Sequence, residues 1–262
     1  MFSMLLKYSP DELDITRITL IQHVVCLAAI QAIQRLGETR GLPHLLEHQQ
    51  VGIKWPNDIY ARGKRNDDDD DDDDSLEGCR RGSDGDQPSC RVKIGGVLCQ
   101  SSGGASGVSI VVGVGLNVFN DAPTTCLQTL VDDECVREGV PLESLRPVTR
   151  EEVLGMLCTS FEDLMQTLTG PSGFVGGLQH LYKRHWIHQN ETVLIDPSAI
   201  GTTTSPSVTP RTGVIQAVVM DISASGYLVA QDDTGQKYQL DPDLNSLNIL
   251  SGVVRSKYYD PR

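Results

Sequence analysis

A short alternating run that ends on a proline constrains this chain more than anything else in it. Val51, Ile53 and Trp55 alternate with Gly52 and Lys54 in the period of a β-strand, and Pro56 follows at once. Proline has no N–H to give a sheet ladder, so the chain must leave the strand there and turn. At that exit stand a cation, an amide and a carboxylate: Lys54, Asn57 and Asp58. A strand end is a rigid mount for polar chemistry. The same residues also suit an ordinary strand and a Pro-Asn turn, so the rest of the chain must decide their meaning.

Upstream, Ile18, Ile21, Val25, Ala28, Ala32 and Leu36 recur at helical steps and predict a helix over residues 14–36. Asp14 or Thr16 can cap its start and Gly37 can stop it. Val24 to Ile30 is apolar nearly all round, which calls for burial against a sheet. Residues 37–50 read as a connecting loop with a turn at Gly41-Leu42-Pro43, and a short extended piece at Ile59-Tyr60 follows the proline.

Residues 62–91 read as an insertion without a core, built on the aspartates Asp67 to Asp74. Like charges in a row repel and bury nothing, so a solvated, disordered loop is expected. An EF-hand calcium site would need interleaved residues and a turn glycine. Beyond it come two predicted strands, Lys93–Gln100 and Val108–Val118, joined through Ser101–Gly107. Glycines at 95, 96, 113 and 115 strip these strands of bulk. That fits β-bulges, a tight packing contact, or a ligand lying close to the backbone.

Thr149-Arg150-Glu151-Glu152 is a capping box. The helix it opens carries an apolar face of Val153, Leu154, Leu157, Phe161, Leu164, Met165 and Leu168, and Gly170-Pro171 ends it. A shorter helix is expected over Phe174–His185. The texture then changes to short strands at Thr192–Asp196, Gly213–Ser223, Tyr227–Gln231 and Gln236–Leu240, with turns at Ser225-Gly226 and Thr234-Gly235. Residues 197–212 read as a polar loop. The expected division is a first domain over 1–189 and a small one over 190–262.

Composition sets limits on function. The chain has 262 residues and a net charge of −13, but residues 66–90 alone hold eleven acids against Arg80 and Arg81. The acidity therefore belongs to one loop and says little about the folded part. Seven cysteines form no C-x-x-C pair, which argues for free thiols in a reducing compartment and against a disulfide framework or a zinc site. Six histidines lack ligand spacing and read as structural. There is no run near the ~18 consecutive apolar residues of a membrane span, and the start of the chain is too short in apolar residues for a secretory signal. A cytoplasmic protein is expected, with a mitochondrial copy as the alternative, and with neither nucleic acid nor membrane as partner.

Three stretches in order, Lys54-Trp55-Pro56-Asn57-Asp58, Lys93-Ile94-Gly95-Gly96-Val97-Leu98 and Gly113-Val114-Gly115-Leu116-Asn117-Val118, resemble the catalytic domain of biotin–protein ligases. That family includes the eukaryotic holocarboxylase synthetases. The resemblance runs from Thr19 to Lys257, because Leu240–Leu247 is similar to the family's small C-terminal domain. It implies an α+β fold: a mixed or antiparallel sheet with helices, of the class II aminoacyl-tRNA synthetase-like biotin/lipoate ligase type, followed by a small SH3-like β-barrel. It implies ATP and Mg²⁺ as substrate and activator, biotin as substrate, and biotin carboxyl carrier domains of carboxylases as partners. Biotin would be activated to biotinyl-5′-AMP and passed to a carrier lysine. Both nucleophiles come from substrate and partner, so the protein supplies position and charge.

By this resemblance Lys93 reaches the biotin carboxylate and the α-phosphate. Asp58 either holds Mg²⁺ or orients the incoming lysine. Asn57 and Asn117 are hydrogen-bonding candidates for the nucleotide, with Gly95, Gly96 and Gly115 beneath the ligand. Trp55 is either a stacking wall or core, and Lys54 is a weaker candidate because alternation points it away from Lys93. The family's Gly-Arg-Gly-Arg-Gly-type loop has no counterpart in residues 1–18, and Met1–Tyr8 is similar to the strand that follows that loop. A fragment lacking the N-terminal part of the domain is thus expected, as an incomplete gene model, a splice form or a true product. The bacterial helix-turn-helix is also missing, so transcriptional repression is not supported. The alternatives are a lipoate–protein ligase, or an impaired fragment that only binds nucleotide or carrier.

Overall fold

A stretch that is apolar nearly all round has no face to give to water, and Val24 to Ile30 within the helix Ile21–Glu38 (α1) is such a stretch. The helix residues from Ile21 to Ile30 are buried with the sole exception of Gln22, as are Ala32, Ile33, Leu36 and Gly37. The computed structural model describes residues 1–63, 90–104, 107–120, 125–196, 213–242, 245–247 and 252–256. A 3-10 turn, Ile15–Leu20, leads into α1, and Asp14 caps that turn by accepting from Thr16 N. The helix starts later and ends later than its periodicity suggests. Gly37 lies inside it, because a Cβ there would meet Leu42 O at 2.6 Å; the glycine serves a close chain approach and not a stop. The stretch Ile15–Glu38 is long and apolar enough to cross a membrane, yet 67% of its apolar window is buried inside the molecule. It is the core helix.

Against α1 lies a five-stranded antiparallel sheet of β1 (Phe2–Tyr8), β2 (Gly52–Lys54), β3 (Asp58–Gly63), β4 (Cys90–Gly104) and β5 (Gly107–Leu116), in the order β1-β5-β4-β3-β2. Ile110, Val112 and Val114 alternate into the core, while Val111, Leu98 and Leu5 face outward. Strands β4 and β5 pair from Gly95↔Leu116 to Gly104↔Gly107, so the expected glycine-serine turn is mostly strand. Gly63 and Cys90 are register partners, which places the ends of the acidic insertion side by side. The insertion itself, residues 64–89, lies outside the described residues, as does the 197–212 loop.

The connection before β2 holds a short helix, α2 (Leu45–His48), where the sequence shows only a loop. A further helix, α3 (Leu127–Glu138), is also absent from the sequence reading. Its charged residues break the apolar period, and only Leu127, Leu130, Val131, Glu134 and Cys135 are buried. The capping box at Thr149 is realised: its side chain accepts from Glu152 N and opens α4 (Arg150–Thr169), which packs along α1. Leu154, assigned to the apolar face, is 38% exposed. Arg40 binds Glu152 through two nitrogens at 3.0 and 2.7 Å and ties the loop after α1 to the start of α4. The segment after α4 splits into a π-helical turn, Phe174–Leu178, and α5 (Gln179–His185).

The remaining strands are β6 (Thr192–Ile195), β7 (Ile215–Ile222), β8 (Leu228–Asp232), β9 (Lys237–Leu240), β10 (Asn245–Leu247) and β11 (Val253–Ser256). They form a second, six-stranded sheet in the order β10-β11-β6-β7-β8-β9. Among the described residues of this sheet, only the β11–β6 pair is parallel. Asp232 organises the β8–β9 turn by accepting from Thr234 N, Gln236 N and Tyr238 Oη.

Candidate active site

The register between β3 and β4 slips by one residue. Ile59 faces Gly95 and Tyr60 faces Lys93, so Ile94 has no partner. A bulge of this kind re-aims side chains, and here it puts Lys93 and Gly96 on the same outer face although they are three positions apart. Asp58 is the register partner of Gly96. Lys93 Nζ and Asp58 Oδ1 meet at 2.6 Å, with the lysine side chain half-exposed and the carboxylate mostly covered.

Gly96 is the space that lets them meet. A Cβ there would lie 2.9 Å from Asp58 Oδ1, 3.2 Å from Lys93 Cε and 3.3 Å from Lys93 Nζ. Gly95 is bare for a different reason, since its Cβ would strike Gly115 O at 2.8 Å and Leu116 Cδ1 at 2.9 Å. Gly115 faces Gly96 across the ladder, and a Cβ on it would meet nothing closer than Gly96 O at 4.0 Å. Beside the ion pair, then, lies a floor of uncovered backbone.

The other sequence-derived residues fall in different places. Asn57 donates from Nδ2 to Val97 O at 2.6 Å, and its own carbonyl accepts from Val97 N at 2.9 Å. It extends the β3–β4 ladder past Asp58 and so fixes the turn. Asn117 sits just past β5, its N–H donating to Ile94 O at 2.7 Å at the bulge. Trp55 is 1% exposed and its indole donates to Gly226 O at 3.0 Å, so it is part of the core and offers no stacking face to a ligand. The Trp55–Pro56 peptide bond is cis. Lys54 is the register partner of Asp58, with its Nζ 5.5 Å from the Tyr60 ring centre, so the fold sets it beside Asp58 rather than away from the site.

Sequence reasoning missed the groups beneath the pair. Tyr182, from α5, is buried and donates to Pro56 O at 3.1 Å. Burial pushes its phenol well up, with the charges of Cys26 and Asp58 adding to the shift. Burial likewise pushes the Cys26 thiol up, Asp58 and Cys99 adding and Lys93 opposing. His23 is buried against the Tyr182 ring, and burial lowers its imidazole to about 4. Neither of its nitrogens has a partner in hydrogen-bond geometry, although the Thr19 and Gly226 backbone opposes the shift. Nothing in linear spacing points to these residues; only the packing of α1, α5 and the second sheet brings them under the turn.

Asp58 belongs to no group of three or more His, Cys, Asp or Glu side chains with converging ligand atoms among the described residues. One carboxylate whose Oδ1 is held by a lysine is a poor resident metal site. The metal-type grouping that does occur is elsewhere: His48 of α2 with Glu134 and Glu138 of α3. Glu134 is wholly buried, with His48 Nδ1 2.5 Å from Oε1 and Gln49 Nε2 3.1 Å from Oε2. That convergence is invisible in the histidine spacing, and it fastens α2 to α3. The five described cysteines with placed side chains, 26, 99, 126, 135 and 158, are all free.

The chain is similar to known proteins. The Biotin/lipoate A/B protein ligase family matches residues 1–117, the stretch that carries all five strands of the first sheet and the ion pair. The chain is 33% identical over 242 residues to the biotin–protein ligase 1 of Arabidopsis thaliana, a chloroplastic protein, covering 92% of this chain and 52% of that protein. It is 24% identical to the biotin–protein ligase of Homo sapiens over 92% of this chain and 26% of that one. The chain thus spans about half the length, or less, of these relatives. The fold matches a biotin protein ligase from Aquifex aeolicus with a TM-score of 0.50 at 16% identity, over 91% of this chain and 77% of that structure. The α+β architecture with an antiparallel sheet therefore matches that of this biotin protein ligase structure.

Proposed function

We propose that this chain is a biotin–protein ligase that activates biotin with ATP and passes it to a lysine of a carboxylase carrier domain. The observation that carries the reading is the Lys93–Asp58 pair beside the bare Gly96–Gly115 backbone. In the first step a biotin carboxylate oxygen forms a bond to the α-phosphorus, and the bond to the pyrophosphate oxygen breaks. Negative charge grows on the phosphoryl oxygens, where the half-exposed Lys93 ammonium, already oriented by Asp58, offsets it. In the second step the carrier amine attacks the acyl carbon, an amide forms, and AMP leaves with the bonding pair. Asp58 then lies where it can orient the incoming ammonium and draw off its proton.

Mg²⁺, on this reading, travels with the ATP phosphates and is not seated on Asp58. The bulge and the glycines support the reading because they cost strand stability and leave room only on the outer face. We further read the second sheet, over 190–262, as a separate small domain of SH3-like barrel kind, and the free thiols as those of a cytoplasmic protein.

Lipoate is the competing acyl substrate within the same family. Incubation with ATP and either biotin or lipoate, followed by pyrophosphate measurement, decides between them. Biotin-dependent release is expected to exceed lipoate-dependent release by about a hundredfold or more. Equal or greater release with lipoate would overturn the assignment.

A further inference from the structure

The second sheet reaches into the first at one hairpin. Between β7 and β8 the chain turns through Gly226, which has φ +82° and so sits where glycine is favoured. A Cβ there would lie 2.7 Å from His23 Cε1, so the turn is pressed directly onto α1. The carbonyl of the same residue accepts the Trp55 indole N–H. Nearby, Thr19 Oγ1 donates to Ser225 O at 3.2 Å, and Gln179 Nε2 of α5 donates to Ile222 O at 2.5 Å. The hairpin is thus fastened to the start of α1, to α5, and to the strand end that carries the site.

Trp55 stands three residues before Asp58, and the turn between them is short and tied down at Pro56 and Asn57. A rigid indole held at its far edge transmits a displacement of the hairpin to that turn. Asp58 in turn holds Lys93. We propose that Trp55 is a positioning residue: its bond to Gly226 lets the C-terminal hairpin set the geometry of the Lys93–Asp58 pair. The kinetic part of this inference rests on the ligase reading; the geometric part does not.

The test uses the full chain. Trp55→Phe keeps an aromatic ring in the core and removes the N–H. Lysines are labelled by reductive ¹³C-methylation, the Lys93 signal is assigned with Lys93→Arg, and its displacement in Asp58→Asn marks a broken pair. In Trp55→Phe the Lys93 signal is expected to move toward its Asp58→Asn position while that of Lys7, on β1, stays in place. Biotin- and ATP-dependent pyrophosphate release should fall about tenfold in kcat, with KM for biotin and ATP within about twofold. The double variant with Asp58→Asn should be no slower than Asp58→Asn alone, because both act through one pair.

A tryptophan that only packs would lower melting temperature and leave the Lys93 signal of the folded protein unmoved. Should Trp55→Phe fail to fold, Thr19→Val loosens the same hairpin and should move the signal in the same direction. An unmoved Lys93 signal in whichever variant folds, or losses that multiply in the double variant, overturns the proposal. If the wild-type chain releases no pyrophosphate, the ligase reading fails and the Lys93 signal alone decides the positioning role.

Discussion

Two ion pairs of similar length do different things in this molecule. Arg40–Glu152, at 2.7 Å, has its arginine side chain only 6% exposed and clamps a loop to the start of α4. Lys93–Asp58, at 2.6 Å, has its lysine side chain 51% exposed and clamps nothing that the ladder does not already hold. Glu152 is matched by a planar fork at two points, the geometry that makes arginine suited to structural pairing. Lys93 is a point charge on a flexible stem, able to turn from one partner to a second anion. Distance alone does not separate structure from chemistry here. What surrounds each pair does: packed helices for one, uncovered glycine backbone for the other.

The largest effect should come from breaking the open pair. Lys93→Ala is expected to cut biotinyl-AMP formation by roughly a hundredfold or more, the size of a lost preorganised charge at a developing oxyanion. Its unfolding free energy should change by no more than about 1 kcal/mol, as for an exposed pair. Pyrophosphate release and urea titration on the same preparation measure both. A fully active variant would remove Lys93 from the site and erase the contrast with Arg40.

The contrast was half legible in the sequence. Val51–Trp55 ended at a proline and mounted Asp58, and Lys93 headed a glycine-bearing strand, so both charges were visible before any fold. Their meeting depends on a one-residue bulge at Ile94, which no local pattern announces because Val92, Ile94 and Val97 read as plain strand residues. Trp55 was open between a wall and core; its N–H finds Gly226 only through packing across 171 residues. Helix α3 was missed because its apolar stripe is narrow and its buried Glu134 reads as a surface residue. The capping box at Thr149, by contrast, is a local device and appears in the fold as its letters imply.

A second effect concerns acid, and it should belong to the buried groups and not to the site. His23 has a folded pKa of about 4 against 6.5 when unconstrained, so between these values the unfolded chain binds a proton that the folded one refuses. Stability is therefore full above about pH 6.5 and declines as pH falls toward 4, by about 3 kcal/mol in all. Glu152 acts in the same direction. The Arg40 hydrogen bonds hold its carboxyl low, so the stability it contributes is present above the ordinary carboxylate range and lost as pH falls through its folded value. Urea midpoints at pH 7 and pH 4.5 should differ in the wild type and differ less in His23→Phe, the remainder belonging to groups such as His188, whose imidazole burial also lowers. A wild-type stability that is flat from pH 7 to 4.5 would show that His23 is not buried in its neutral form.

Arg40→Ala tests the clamp from the other side. It leaves a carboxylate with one quarter of its side chain exposed and removes both nitrogens, for an expected loss of about 2 kcal/mol. Pyrophosphate release per folded molecule should stay at the wild-type value, since the pair lies on α4 and the loop after α1. Loss of activity at full folding would mean that the clamp shapes the site, and the division between the two pairs would fail.

The smallest effect is expected at a third pair, which sharpens what burial contributes. Lys183–Asp221 spans α5 and β7 at 2.9 Å, close in length to the other two, but its side chains are 31% and 48% exposed. Water competes for both groups, and salt screens what remains over about a Debye length. Lys183→Ala should therefore cost no more than about 1 kcal/mol, and the difference from wild type should shrink further in 0.5 M salt, where the Debye length is only a few ångströms. Arg40→Ala, under the same conditions, should keep most of its loss because its guanidinium is shielded from the solvent ions. Urea titrations of both variants at low and high salt make the comparison directly. If Lys183→Ala lost as much as Arg40→Ala at both salt concentrations, the exposed pair would be holding the second sheet against α5, and exposure would no longer rank the three.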